Sequence, residues 1–418
     1  MFSDRTNWVL TQNRLTQAIN EMRSRGAKIL DLTVSNPTRV GLEYDAQAIL
    51  ASLGSSRALD YDPQAKGLIE ARQVVAEYYR DEHGVRDLDP EQIILTTSTS
   101  EGYSFVFRLL CNAGDELLVP KPSYPLFEFL ADLQDVKLIP YPLIYDHGWQ
   151  MDFPSLEKAV TPKTRGVVVV HPNNPTGSYV KAAEVEQLNA VCQKHDLAVI
   201  VDEVFLDYPL YDHPLNDNLL SNSKPNGRLN QHSAHFDPKW AKRHPSFVQN
   251  SAVLTFTLSG LSKVSALPQM KVAWVLTSGP EDQAASAMAR LEVIADTYLS
   301  MNAPMQWAVP ALLEQRKSIQ RQLMNRVRAN LTELDRLLAR QTACQRLEVE
   351  GGWYAVLRVP VTQSDEELAI ALVKEKSVLV HPGHFYDFPS DGYLVVSLIV
   401  EESEFAEGMM RVRELLDS

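Results

Sequence analysis

Short apolar runs and helix-like stretches alternate through the middle of this sequence. Seven runs read as strands, at 93–97, 117–120, 137–141, 166–171, 197–202, 252–257 and 272–276. Val167 to Val170 and Val199 to Val201 are β-branched at every position, which suits strands buried on both faces. Helical stretches such as 104–111 and 182–195 lie between many of the runs. Strand alternating with helix implies a mostly parallel α/β sheet. Residues 211–250 break the rhythm, being rich in His, Asn, Ser and Pro. A loop of that length is uncommon inside a compact domain, so it reads as an insertion over the sheet, either a lid or a surface decoration. A long helical region follows 280. Beyond about Arg340 a second α/β pattern begins, with strands at 348–360, 378–381 and 393–399 and helices at 365–375 and 402–416.

This pattern predicts a large domain over 46–290 and a smaller α/β domain, with its linking helix, over 291–418. Residues 1–45 are expected to pack with the smaller domain. The length of 418 residues agrees with two domains, since single cores stop growing near ~250–300 residues.

Composition excludes more than it suggests. The chain is 45% apolar and 22% charged, as ordinary globular proteins are. Its 40 Lys and Arg against 53 Asp and Glu leave a net charge of −13. An acidic surface argues against a nucleic-acid or anionic-membrane partner, though not against a locally basic anion site. Cys111, Cys192 and Cys344 are too few and scattered for a disulfide framework and show no metal-ligand spacing. They read as small buried groups in a reducing, cytoplasmic compartment. The first residues lack the basic-then-apolar order of a signal peptide, and no apolar stretch reaches the ~20 residues of a membrane span. Asn330-Leu331-Thr332 spells a glycosylation sequon, read as chance in that setting.

Polar residues recur where the central strands end, which is where ligands bind in open α/β sheets. Thr96 to Glu101 forms a hydroxyl-rich strand-to-helix turn, suited to an anion or simply to helix capping. Tyr124, after the second run, could stack on a flat ring or pack. His171-Pro-Asn-Asn-Pro-Thr-Gly177 fixes a turn and aims asparagine side chains. Asp202 ends an apolar strand and needs a partner there. Lys263 follows Ser259-Gly-Leu-Ser262 and precedes a second basic residue, Lys271. A buried lysine near other cations becomes a Schiff-base nucleophile. One ligand uses a phosphate site, a ring platform, a carboxylate for a ring nitrogen, a donor for a phenolic oxygen and an amine for an aldehyde: pyridoxal 5'-phosphate.

In this order and combination, Asn173 to Gly177, Asp202-Glu203 and Ser259 to Lys263 resemble the class I/II aminotransferases of fold type I, from about Leu30 to the C-terminus. The resemblance implies a mostly parallel seven-stranded sheet in a large domain plus a smaller C-terminal α/β domain. It implies a homodimer acting on a small-molecule amino donor and an oxo-acid acceptor. Carried over by position, it makes Lys263 the catalytic lysine that forms the Schiff base and moves the proton. Asp202 pairs with the ring nitrogen, Asn174 bonds the phenolic oxygen, and Tyr124 stacks on the ring. Ser98, Thr99, Ser100, Ser259 and Lys271 lie at the phosphate. Tyr61 reaches the phosphate of the neighbouring subunit.

The sequence also departs from that family. Phe205 stands where a tyrosine usually donates to the phenolic oxygen, so a less acidic Schiff base is expected. Lys271 replaces an arginine, keeping charge but losing the two-pronged fork. Gln269 and Ser98 replace common glycines. Val395, in Tyr393-Leu-Val-Val-Ser397, stands where an arginine usually grips the substrate carboxylate. Arg39, in Ser35-Asn-Pro-Thr-Arg39, is the candidate substitute, against the plainer reading of an exposed loop arginine. An aminotransferase is the leading expectation. A pyridoxal-phosphate lyase, decarboxylase or cyclase on the same fold stands second, and a non-catalytic regulatory protein third.

Overall fold

A computed structural model of the chain describes residues 1–210, 246–299, 301–339 and 343–417. Of the insertion expected at 211–250, all but the last five residues lie outside the described ones.

Leu30–Asp31 (β1) precedes the main sheet. The main sheet comprises Ile93–Thr96 (β2), Glu116–Lys121 (β3), Lys137–Tyr145 (β4), Trp149–Met151 (β5), Thr164–Val170 (β6), Ala198–Asp202 (β7), Thr255–Gly260 (β8) and Ala273–Ser278 (β9). The spatial order is β2-β9-β8-β7-β6-β3-β4-β5. Strands β8, β7, β6, β3 and β4 run parallel. β9 is antiparallel to both its neighbours. The expected seven strands are thus joined by an eighth. His147 and Gly148 adopt positive φ (51° and 149°), and Asp146 donates its N–H to the Gly148 carbonyl at 3.0 Å. That turn sends β5 back along β4.

Both faces of the sheet centre are covered, as the unbroken valine runs predict. Val167, Val169, Val199 and Val201 pack with Leu188 and Cys192 of the helix Ala182–His195. The alternate residues Val168, Val170 and Ile200 pack with Tyr103 and Phe107 of the helix Thr99–Leu110 and with Leu291 of the helix Glu281–Tyr298. Period-two alternation sends neighbouring side chains to opposite layers.

The C-terminal part holds Gln345–Arg346 (β10), Tyr354–Arg358 (β11), Val378–Leu379 (β12), His381–Pro382 (β13) and Tyr393–Ser397 (β14). An antiparallel sheet runs β10-β11-β14-β13. β1 pairs with β12, and the helix Arg14–Ser24 packs on the helix Asp365–Ala371. The N-terminal segment is therefore stitched to the C-terminal one.

The helix Arg316–Leu338 joins the two parts. Arg316 bonds Glu82 of the helix Ile69–His83 at 2.6 Å. Gln320 donates to the Val264 carbonyl at 2.7 Å. Asn330 donates to the carbonyls of Leu398 and Val400 at 2.9 and 2.7 Å. The sequon asparagine is thus a buried bracket, with no room for a sugar.

Candidate active site

The parallel strands β3, β6, β7 and β8 end at one edge, and each delivers a polar group there. The turn after β6 is locked from within. Asn173 donates to the Pro122 carbonyl at 3.1 Å and to Thr176 Oγ1 at 2.9 Å, and accepts from Ser123 Oγ at 3.2 Å. A Cβ on Gly177 would lie 2.4 Å from the Gly351 carbonyl oxygen, so only glycine lets the two segments touch. The next residue, Asn174, is buried, and its Oδ1 meets no partner among the described residues. Of two adjacent asparagines, one holds the turn and the other is left to hold something else. A buried amide with an unmet atom marks a missing ligand or water.

Asp202 ends β7. Its Oδ1 accepts from the Val204 N–H at 3.0 Å and its Oδ2 from the Tyr103 hydroxyl at 3.1 Å. Burial pushes its carboxyl up to about 6, against the pull of those two bonds and of Lys263. Lys263 sits in the short helix Leu261–Val264 after β8. Burial draws its ammonium down to about 8, with Asp202 opposing. An amine just past one strand and a carboxylate at the end of its neighbour are therefore both pulled toward neutrality, as paired acid–base groups in active sites are. The Lys263 backbone is fixed in turn, its carbonyl accepting from the Tyr208 hydroxyl at 2.5 Å.

Glu203, beside Asp202, faces the other way. It accepts from the Phe247 N–H at 2.7 Å and from Ser246 Oγ at 2.8 Å, and burial pushes it up to about 7. It holds the chain that returns to β8 and carries no site chemistry.

The expected anion turn precedes the helix Thr99–Leu110. Ser98 is its N-cap, accepting from the Glu101 N–H at 3.1 Å. Glu101 folds back onto the Thr97 N–H at 2.7 Å. The Ser98 oxygen is committed to the cap, while Thr99 and Ser100 lie in the first turn, half-buried. Ser259 is buried at the end of β8. Lys271 is exposed, in a left-handed conformation at φ 53°. Tyr124 is half-exposed near Asp202, whose charge adds to burial in raising its hydroxyl. Tyr61 is 82% exposed.

Val395 is wholly buried in β14, opposite Val356 and His381. Arg39 ends the 3-10 turn Pro37–Arg39, exposed and in no salt bridge among the described residues. Its segment runs beside the small-domain sheet, since the Val34 carbonyl accepts from Ser397 Oγ at 2.6 Å.

Several neighbours of the site escape a reading of strand ends alone. Tyr103 lies on the helix, and Tyr208 and Trp353 come from loops. Trp353 approaches because Gly351 and Gly352 precede it; that glycine pair before two aromatics is the signal a sequence could have offered.

An open α/β sheet with a buried lysine and carboxylate at its strand ends defines an amine-handling enzyme of the aminotransferase type. Comparison with known proteins agrees. Residues 27–404 match the family described as aminotransferase class I and II, and the chain belongs to it. It is similar to the glutamate-pyruvate aminotransferase AlaA of Haemophilus influenzae, 24% identical over 401 residues, covering 94% of this chain and 92% of that protein. It is similar to the alanine aminotransferase of Mycobacterium tuberculosis, 25% identical over 410 residues, covering 95% and 87%. The alanine aminotransferase structure from Pyrococcus furiosus superposes with a TM-score of 0.82 at 21% identity, covering all of both chains. An aminotransferase from Escherichia coli gives 0.81 at 23% identity, covering 100% of this chain and 98% of that one. The fold is that of the fold type I aminotransferases, and the protein is an aminotransferase. No described helix is long and apolar enough to cross a membrane.

Proposed function

We propose that the chain moves an amino group between an amino acid or amine and a 2-oxo acid, using pyridoxal 5'-phosphate held at Lys263. The observation that carries this reading is the pair Lys263 and Asp202, desolvated together, with the unmet Asn174 amide on the turn after the adjacent strand β6. These residues fit the cofactor. Asp202 would bond the ring nitrogen and Asn174 the phenolic oxygen. Tyr124 would cover one ring face. Ser98, Thr99, Ser100 and Ser259 would meet the phosphate, with Lys271 adding charge. When bound, pyridoxal phosphate supplies an electron sink that makes the substrate Cα proton removable.

The protein's own share is proton handling. With its ammonium near 8, Lys263 is neutral in an appreciable fraction of molecules at pH 7. It can take a proton from the substrate Cα and return one. Asp202, held by Tyr103 and Val204, keeps a negative charge where a ring N–H needs one. Arg39 is the group we assign to the substrate carboxylate, since Val395 offers none. Tyr61, being exposed, suits contact with a second copy, so the working unit is proposed to be a homodimer. A reducing, cytoplasmic compartment suits Cys111 and Cys192, whose thiols burial pushes up to about 12.

The relatives' names make alanine or glutamate with pyruvate the first pairs to try. Purified protein is expected to show a visible cofactor band that an amino donor bleaches and a 2-oxo acid restores. A band that no donor bleaches, or release of ammonia or carbon dioxide without amine transfer, would rule the reading out.

A further inference from the structure

Lys263 enters the site through a corner made of two rings. Its Nζ lies over the Trp353 ring, 4.8 Å from the ring centre, and over Phe205, 5.5 Å from that centre. The rings meet edge to face, with centroids 5.2 Å apart and planes at 76°, so the nitrogen faces both at once. Both distances fall within the ~6 Å at which a ring face attracts a cation. Both rings are buried, Trp353 wholly.

The corner is fixed by backbone. A Cβ on Gly351 would lie 2.8 Å from the Tyr208 carbonyl oxygen. The Gly352 N–H donates to that same carbonyl at 2.9 Å, and the Trp353 carbonyl accepts from the Leu398 N–H at 2.7 Å. Tyr208 packs edge-on against Trp353 at 5.1 Å, and its hydroxyl holds the Lys263 carbonyl. The ring and the lysine backbone therefore share one anchor.

We propose that Trp353 and Phe205 are catalytic residues that hold the Lys263 nitrogen as an ammonium whenever it is released from the cofactor. This rests on Lys263 being the cofactor lysine. A lysine that takes a proton from the substrate Cα must keep it until it is delivered, in a site that excludes the water an ammonium prefers. Two ring faces replace part of that water. Among the described residues, the charge that acts on the nitrogen is that of Asp202 from β7, which favours the ammonium. Burial works the other way. The rings act on Asp202's side of that balance.

The sign of one shift decides the matter. Acetylation of the full-length protein freed of cofactor, followed at Lys263 by peptide mass spectrometry across pH, gives the apparent pKa of this amine without turnover. Trp353→Leu is expected to lower it by about one pH unit, as loss of a desolvated cation–ring contact does. Phe205→Leu should lower it by less, the ring being farther away. Trp353→Phe keeps a ring face and should stay within about 0.3 unit of the parent. In the holoenzyme the acid limb of kcat should move down with it. A purely structural loss would admit water and move the value up, toward the ordinary 10.5. An upward or absent shift in both leucine variants overturns the proposal, and so does a Trp353→Phe shift as large as that of Trp353→Leu. If Trp353→Leu does not fold, as circular dichroism would show, Phe205→Leu decides by the same sign. None of these outcomes bears on whether the cofactor binds Lys263, which labelling reads separately.

Discussion

At the ends of three adjacent strands of the main sheet, β6, β7 and β8, stand Asn174, Asp202, Ser259 and Lys263, with neighbours such as Tyr103 and Tyr208 holding Asp202 and the Lys263 backbone. Arg39, Lys271 and Tyr61, which we assign to the rim of that site, are exposed. Asn174, Asp202 and Lys263 keep the residue types that the family resemblance implies, while substitutions fall both beside them, Phe205 for tyrosine against Lys263, and farther out: Lys271 for arginine, Gln269 for glycine and, buried in β14, Val395 for arginine. The contrast has a physical basis. A floor group that bonds a ring atom has one allowed position, because an unmet buried polar group costs about 1–3 kcal/mol. A rim group pulls on charge through partly exposed space, where several positions can serve. On the proposed assignment, the floor would fix the chemistry and the rim would choose the substrate.

The largest effect that could break this contrast is at Lys263. Lys263→Ala should cut kcat by about 10³-fold or more, the scale of positioned proton transfer. Activity within tenfold of the parent would place the proton carrier elsewhere. Asp202→Asn comes next, with kcat reduced on the order of 10²-fold, since a charge-assisted bond worth about 2–3 kcal/mol is lost. The same variant should leave the cofactor-free protein more stable at pH 7. The carboxyl of Asp202 has a raised folded pKa, so its stabilising share is present below about pH 4 and lost as pH rises through about 6. Melting curves should show a gain of about 3 kcal/mol at pH 7 and little at pH 4. A variant less stable at pH 7 would mean that the folded chain prefers the ionised form.

Rim changes should be smaller and should fall on binding. Arg39→Ala is expected to raise KM for an amino-acid donor by well over tenfold with kcat nearly unchanged, from the ~2–5 kcal/mol of a charged bond. An unchanged KM removes Arg39 from the site. Lys271→Arg should tighten cofactor binding a few-fold by restoring the fork. Looser binding in a fluorescence titration would show that the left-handed backbone at this position, not the head group, sets the contact.

The chain reveals its floor more readily than its surroundings. The helices Ala182–His195 and Glu402–Leu416 begin and end where the sequence pattern puts them. The helix at Thr99 starts five residues before the expected 104, because Ser98 caps it. Strand β8 starts at Thr255 rather than 252, because the Asn250 amide oxygen accepts from the Ala252 N–H and Thr255 Oγ1 donates to the Val253 carbonyl, which turns those residues out of the ladder. These are local competitions, visible in hindsight from Asn and Thr. The grip of Tyr103 on Asp202 and of Trp353 on Lys263 spans 99 and 90 positions of sequence. Short-range periodicity carries no record of such contacts. The roles of the two asparagines at 173 and 174 likewise separate only in three dimensions.

The central claim is that the amine of Lys263, and no other, carries the cofactor. Reducing the holoenzyme with borohydride and mapping its peptides by mass tests this directly. The account predicts a phosphopyridoxyl mass on the peptide containing Lys263 and none on the peptides of Lys271 or Lys121. A label on either of those lysines instead, or no label in protein that still shows the visible band, would contradict it.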